Sequence, residues 1–150
     1  MPRTVNIHNA RSKAYAAVLR RITKDKVCPF CEKHFLKYHI RPILKTGTYW
    51  LLTENFHPYS GAKHHLLAVS RTHVEHFEKL SPAAHAELFK LFGAEARKRG
   101  IRGGTIFMRF GETEYTGGSV NHLHAQLVSG VKRGKNTEPL VTPISNKKKP

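Results

Sequence analysis

The chain has 150 residues, 39% of them hydrophobic and 24% charged, the size and balance of one folded domain with too little chain for a second independent core. Its formal net charge of +16 sits on the flanks, where residues 1–45 carry 11 Lys+Arg against 2 Asp+Glu and residues 131–150 carry 6 against 1, while residues 46–130 carry 9 against 7; such ends attract polyanions, nucleic acid included, without selecting one. Apolar runs such as 49–52 and 66–69 fall far short of the roughly 20 residues that cross a bilayer, and the polar first ten residues lack the apolar stretch of a secretory signal, so the expected protein is cytoplasmic with no membrane partner.

The predicted elements run as follows. Asn9 can cap a helix from Ala10 to about Lys24, with Tyr15, Val18, Leu19 and Ile22 on one face. Residues 1–26 are thus expected to form a basic N-terminal helix ahead of a domain over 27–130. Pro42–Leu44 and Thr48–Thr53, joined through Gly47, read as a hairpin, and His65–Ser70 reads as a third strand. Ser81-Pro82 starts a second helix that runs to about Lys98 and stops at Gly100, with Leu88, Leu91, Phe92 and Ala96 as its apolar stripe. Thr105–Arg109 and His122–Val128 supply strands four and five. Residues 131–150, rich in proline and ending in three lysines, read as a basic mobile tail. About five strands with hairpin connections and one covering helix imply an α+β domain with a mainly antiparallel sheet.

Chemistry concentrates before and within the fifth strand. Side chains alternate along a strand, so His122, His124 and Gln126 share one face and Leu123, Ala125 and Leu127 the other. The turn Gly117-Gly118-Ser119 can bring backbone amides and a hydroxyl to an anion. An imidazole beside such a turn can attack phosphorus and split one displacement into two through a phosphoramidate, and His124 is the expected nucleophile. Arg71 and Arg109 have the planar fork that suits phosphate, although a solvated side chain is the commoner fate of either. Cys28 and Cys31, the chain's only cysteines, are spaced for metal or redox chemistry rather than a disulfide scaffold.

This pattern resembles the histidine triad (HIT) superfamily, whose motif is His-x-His-x-His followed by apolar residues. The third position is Gln126, as in the galactose-1-phosphate uridylyltransferase and dinucleoside polyphosphate phosphorylase branches. Asn55-Phe56-His57-Pro58 and the stretch from His65 to His73 are similar to two further family segments, and the resemblance spans roughly residues 27–129. It implies a HIT-like fold and a nucleotidyl transferase or hydrolase that cleaves a donor such as a dinucleoside polyphosphate at the α-phosphate. His124 would be the residue nucleotidylated. Gln126, Ser119 and Gly118 would hold the phosphate, and Asn55 would hold the ribose. A structural zinc on Cys28, Cys31, His73 and His122 is also implied, as is the two-fold dimer common in the superfamily. His34 in place of His73, a redox dithiol and a metal-free pair are the alternatives at the cysteines. Removal of adenylate from nucleic-acid 5′ ends, as in the aprataxin branch, and RNA binding by a non-catalytic zinc-stabilised domain are the competing functions. Histidines 8, 39, 57, 64, 76 and 85 are expected to be ordinary surface or packing residues.

Overall fold

A computed structural model describes residues 4–150; residues 1–3 of the expected basic N-terminal segment lie outside them. Three helices, α1 (Lys13–Asp25), α2 (Glu32–Tyr38) and α3 (Pro82–Lys98), pack on five strands, β1 (Ile43–Thr46), β2 (Trp50–Glu54), β3 (His64–Ser70), β4 (Thr105–Arg109) and β5 (His124–Ser129). The sheet has the order β1-β2-β3-β5-β4 and every neighbouring pair is antiparallel. That is the α+β architecture expected from the pattern. No helix of the described residues is long and apolar enough to cross a membrane.

Alternation divides the central strands between two cores. Trp50, Leu52, Leu66, Ala68, Ala125 and Leu127 face α3, where Leu88 and Phe92 close the layer. Trp50 is fully buried there, and its indole N–H donates to the Ala84 carbonyl at 2.8 Å, which satisfies the ring's only polar atom. Ser81 caps α3 by accepting from the Ala84 amide at 3.1 Å, with Pro82 at the first helical position. The opposite sheet face carries Leu51, Leu67 and Val69 against Phe35 of α2, followed toward β5 and β4 by polar side chains. A second set of apolar residues, Leu19 and Ile22 of α1 with Val5, Tyr38 and Val120, binds the N-terminal segment to that face.

Three expectations at the ends of elements change. The first helix starts at Lys13, because Ser12 is the cap, accepting from the Tyr15 amide at 3.1 Å. The Asn9 side chain instead donates to the carbonyls of Thr113, Thr116 and Gly118, the last at 2.6 Å, and so ties the N-terminal segment to the turn before β5. Helix α2, absent from the sequence reading, follows the cysteines at once; its seven residues are too short for a clear apolar period. Strand β5 begins at His124, two residues later than expected, because the preceding chain turns to bond Val5 and Val74 rather than a strand.

Residues 131–150 contain no helix or strand. Within them, Pro143 to Asn146 bond back to Arg109 and to residues 114–117.

Candidate functional site

The register of the sheet assembles the site. His124 pairs with Arg109 on β4 and with Val69 on β3, and Gln126 pairs with Phe107 and Leu67. Directly opposed residues project to the same face, so His124, Gln126, Arg109 and Phe107 stand together on the face away from α3. The loop after β2 brings Asn55 and His57 to them, α1 brings Tyr15, the chain just before α1 brings Arg11, and the turn before β5 brings Gly118 and Ser119. One cavity is bordered by His124, Gln126, Asn55, Gly118 and Ser119. All five residues expected at the reacting phosphate or the ribose therefore meet there.

His124 is buried and oriented. Its Nδ1–H donates to the His122 carbonyl at 2.7 Å, so the lone pair lies on Nε2. The Phe30 ring meets the imidazole edge-on at 5.0 Å. Burial, assisted by the positive charges of Arg109 and Arg11 and opposed by the bond to His122, lowers its pKa to about 4. The ring is neutral at pH 7. His65 defines Gln126 in turn: its Nδ1 accepts the Tyr59 amide at 3.0 Å, so its Nε2–H donates to Gln126 Oε1 at 2.5 Å. With Oε1 taken, the free donors of Gln126 are the two hydrogens of its amide nitrogen. Asn55 accepts the His57 amide on Oδ1 at 2.9 Å, and its own amide nitrogen lies 3.2 Å from His65 Nε2.

Two expected phosphate donors are engaged within the chain. The Gly118 amide donates to Thr116 Oγ1 at 3.1 Å, and the Ser119 hydroxyl pairs with the Tyr15 hydroxyl at 2.5 Å. The Tyr15 phenol is enclosed, and burial pushes its pKa up.

A second cluster lies behind His124. Cys28 and Cys31 precede α2, His73 follows β3, and His122 precedes β5. Their ligand atoms all lie within 4.8 Å of one another. Cys28 Sγ and Cys31 Sγ are 3.4 and 3.9 Å from His122 Nδ1, Cys31 Sγ is 3.4 Å from His73 Nδ1, and the two Nδ1 atoms are 3.1 Å apart. Ligands on one tetrahedral zinc, with bonds of about 2.0 to 2.3 Å, stand about 3.3–3.8 Å apart. The tautomers agree: His122 Nε2–H donates to the Ser70 carbonyl at 2.7 Å and His73 Nε2 faces Glu75 at 3.5 Å, which leaves both lone pairs on the converging Nδ1 atoms. Two lone pairs and two sulfurs converging at these distances are the donor set of a cation. Without one, burial pushes the Cys28 thiol up to about 12 and lowers His122 to about 4. His34 is outside the cluster.

Sequence reasoning missed several residues of the cavity. His57 packs tilted against Phe56 and Tyr15, with centroids 3.9 and 4.5 Å away, and His39 stacks on Phe35 and bonds Thr53 at 2.8 Å. His39 sits in no motif, and His57, although inside the 55–58 segment, reads from sequence as an ordinary packing residue; the chain's path brings both in. Of the two arginines suited to phosphate, Arg109 borders the cavity, whereas Arg71 lies elsewhere, paired with Glu32 and the Gly47 carbonyl. Arg109 and Arg11 form no ion pair among the described residues.

No protein-family model and no curated protein matches the chain. Solved structures do. A HIT family hydrolase from Clostridium thermocellum is 23% identical, with a TM-score of 0.53 over 73% of this chain and 95% of that one. A histidine triad protein from Clostridium difficile is 20% identical, with a TM-score of 0.55 over 73% and 96%. A zinc-bound histidine triad family protein from Mycobacterium smegmatis is 18% identical, with a TM-score of 0.56 over 81% and 85%. The fold is that of histidine triad proteins.

Proposed function

We propose that the chain is a nucleotidyl transferase or hydrolase of the histidine triad type, acting on a nucleoside phosphoanhydride such as a dinucleoside polyphosphate. The observation that carries this reading is the His124 imidazole: neutral, pinned through Nδ1 to the His122 carbonyl, its Nε2 lone pair left free, in a residue that lines one cavity with Gln126, Arg109 and Arg11, two arginines without an ion pair among the described residues. Attack by Nε2 forms a nitrogen–phosphorus bond at the α-phosphate and breaks the bond to the bridging oxygen, whose electron pair leaves with the departing phosphate chain. A second displacement by inorganic phosphate or water returns Nε2 to its free state.

Gln126 decides which leaving groups work. Its amide can hold a phosphate oxygen but cannot deliver a proton, so the leaving group has to be stable as an anion, as a phosphate chain is. Arg109 and Arg11 supply the charge to receive it. The Tyr15–Ser119 pair exchanges its mutual bond for bonds to phosphate oxygens. The assignment to the branches with glutamine rests on Gln126 alone.

Cys28, Cys31, His73 and His122 would hold zinc. Bound there, it supplies a structural crosslink of four side chains from three separated segments, fixing the His122 carbonyl that orients His124. The zinc-bound protein from Mycobacterium smegmatis supports that choice of metal.

A donor screen tests the activity. Diadenosine polyphosphates and nucleoside di- and triphosphates are offered with and without added phosphate, and products are separated by chromatography. Release of nucleoside monophosphate, or of nucleoside diphosphate when phosphate is present, is expected from the wild type and lost in His124→Ala. Turnover that survives in His124→Ala would contradict the assignment.

A further inference from the structure

Beyond Arg109 lies a second cavity of about 630 Å³, within the roughly 300–1,000 Å³ of ligand sites. Its inner wall is β4 and the Tyr59 ring, which lies parallel to Phe107 at 6.2 Å. The C-terminal tail lines it too, through Leu140, Thr142 and Ile144, as does Tyr115. Polar bonds seat that tail: the Gly117 amide donates to the Ile144 carbonyl at 3.2 Å and the Ser145 hydroxyl to the Tyr115 carbonyl at 2.6 Å. A side chain at position 117 would collide with the Pro143 carbonyl, so Gly117 permits the close approach.

Arg109 borders both cavities. Its guanidinium donates to Tyr59 Oη at 3.1 Å, to the Pro143 carbonyl at 2.5 Å and to Thr142 Oγ1 at 3.4 Å, all neutral acceptors, and its Nε is buried without a partner. A cation enclosed this way and lacking a carboxylate calls for an anion. An apolar segment of another chain would not supply one.

We propose that this second cavity is the subsite for the leaving half of the substrate. A phosphate chain passes Arg109 and ends in a planar heteroaromatic group, such as a second nucleoside, seated against Phe107 and Tyr115 beneath the tail. This rests on the reading of His124 above. When the Nε2–phosphorus bond forms, the electron pair of the broken phosphorus–oxygen bond moves onto that departing chain, beside the Arg109 charge. The tail thereby sets preference among donors: those with a nucleoside on both ends gain contacts that a nucleoside diphosphate, which releases only inorganic phosphate, does not.

The test uses the full chain with Leu140→Asp and Ile144→Asp, changes that place a carboxylate in the cavity wall away from the reacting atoms. For diadenosine tetraphosphate, kcat/KM should fall about tenfold or more, mainly through KM, while for ADP it should stay within about twofold. Equal losses for both donors, or none for either, overturn the subsite. If the wild type turns over neither donor, the reading of His124 fails, and calorimetric binding to His124→Ala then decides the subsite alone: it stands if Ile144→Asp weakens diadenosine tetraphosphate but not ADP, and falls otherwise. A change of oligomeric state in Ile144→Asp on gel filtration would make the cavity an interface between copies and also overturn it.

Discussion

His65 couples acidity to the integrity of the site. It is 5% exposed, its Nδ1 accepts the Tyr59 amide and its Nε2–H holds Gln126, and burial, with help from Arg11 and Arg109, lowers its pKa to about 4. The unfolded chain takes up this proton near pH 6.5 and the folded chain only near 4, so the neutral ring's contribution is complete above 6.5 and is lost as pH falls through that window. The difference corresponds to at most about 3 kcal/mol. His65→Gln removes the titration while keeping a polar side chain. Near pH 7.5 the variant should be less stable by about 1–3 kcal/mol for its lost hydrogen bonds. Urea unfolding followed by circular dichroism from pH 7.5 to 4.5 should show the wild-type advantage shrinking as pH falls, because the other buried histidines and the metal ligands titrate in both proteins and cancel. A gap that stays constant across that range would refute the reasoning.

Three further outcomes follow from packing and from the cysteine–histidine cluster. Leu19 of α1, fully buried among Val5, Ile22, Tyr38 and Val120, should cost about 2–5 kcal/mol when changed to Ala, read as a lowered urea midpoint, with a raised KM because α1 walls the His124 cavity. Purified protein should carry one zinc per chain by elemental analysis, and Cys28→Ser should lose it together with a large part of the thermal stability. Because the Cys28 thiol otherwise stays protonated up to about pH 12, zinc loading should release protons, measurable by calorimetry in buffers of different ionisation enthalpy.

Much of the molecule was legible because strong local signals agree with the fold. Helix α3 has a cap, a proline at its first position and an apolar stripe, and its bounds match the reading. The alternation around β5 separated the apolar from the reactive side chains at once. What resisted was long-range. Asn9 caps no helix because carbonyls more than a hundred residues away claim its amide. His57 and His39 join the cavity through aromatic contacts that no periodicity encodes. Helix α2 has only seven residues, and the seat of the tail on residues 114–117 depends on backbone bonds, which leave little trace in side-chain identity.

Intact-protein mass spectrometry on wild type and His124→Ala, incubated with diadenosine tetraphosphate without added phosphate and quenched in alkali, addresses the central claim most directly. The expected spectrum shows the wild type gaining the mass of one nucleotidyl group, released by acid and mapped by fragmentation to residue 124, and no gain in the variant. An unmodified wild type that nevertheless cleaves the donor, or the same adduct on both proteins, would contradict a covalent role for His124.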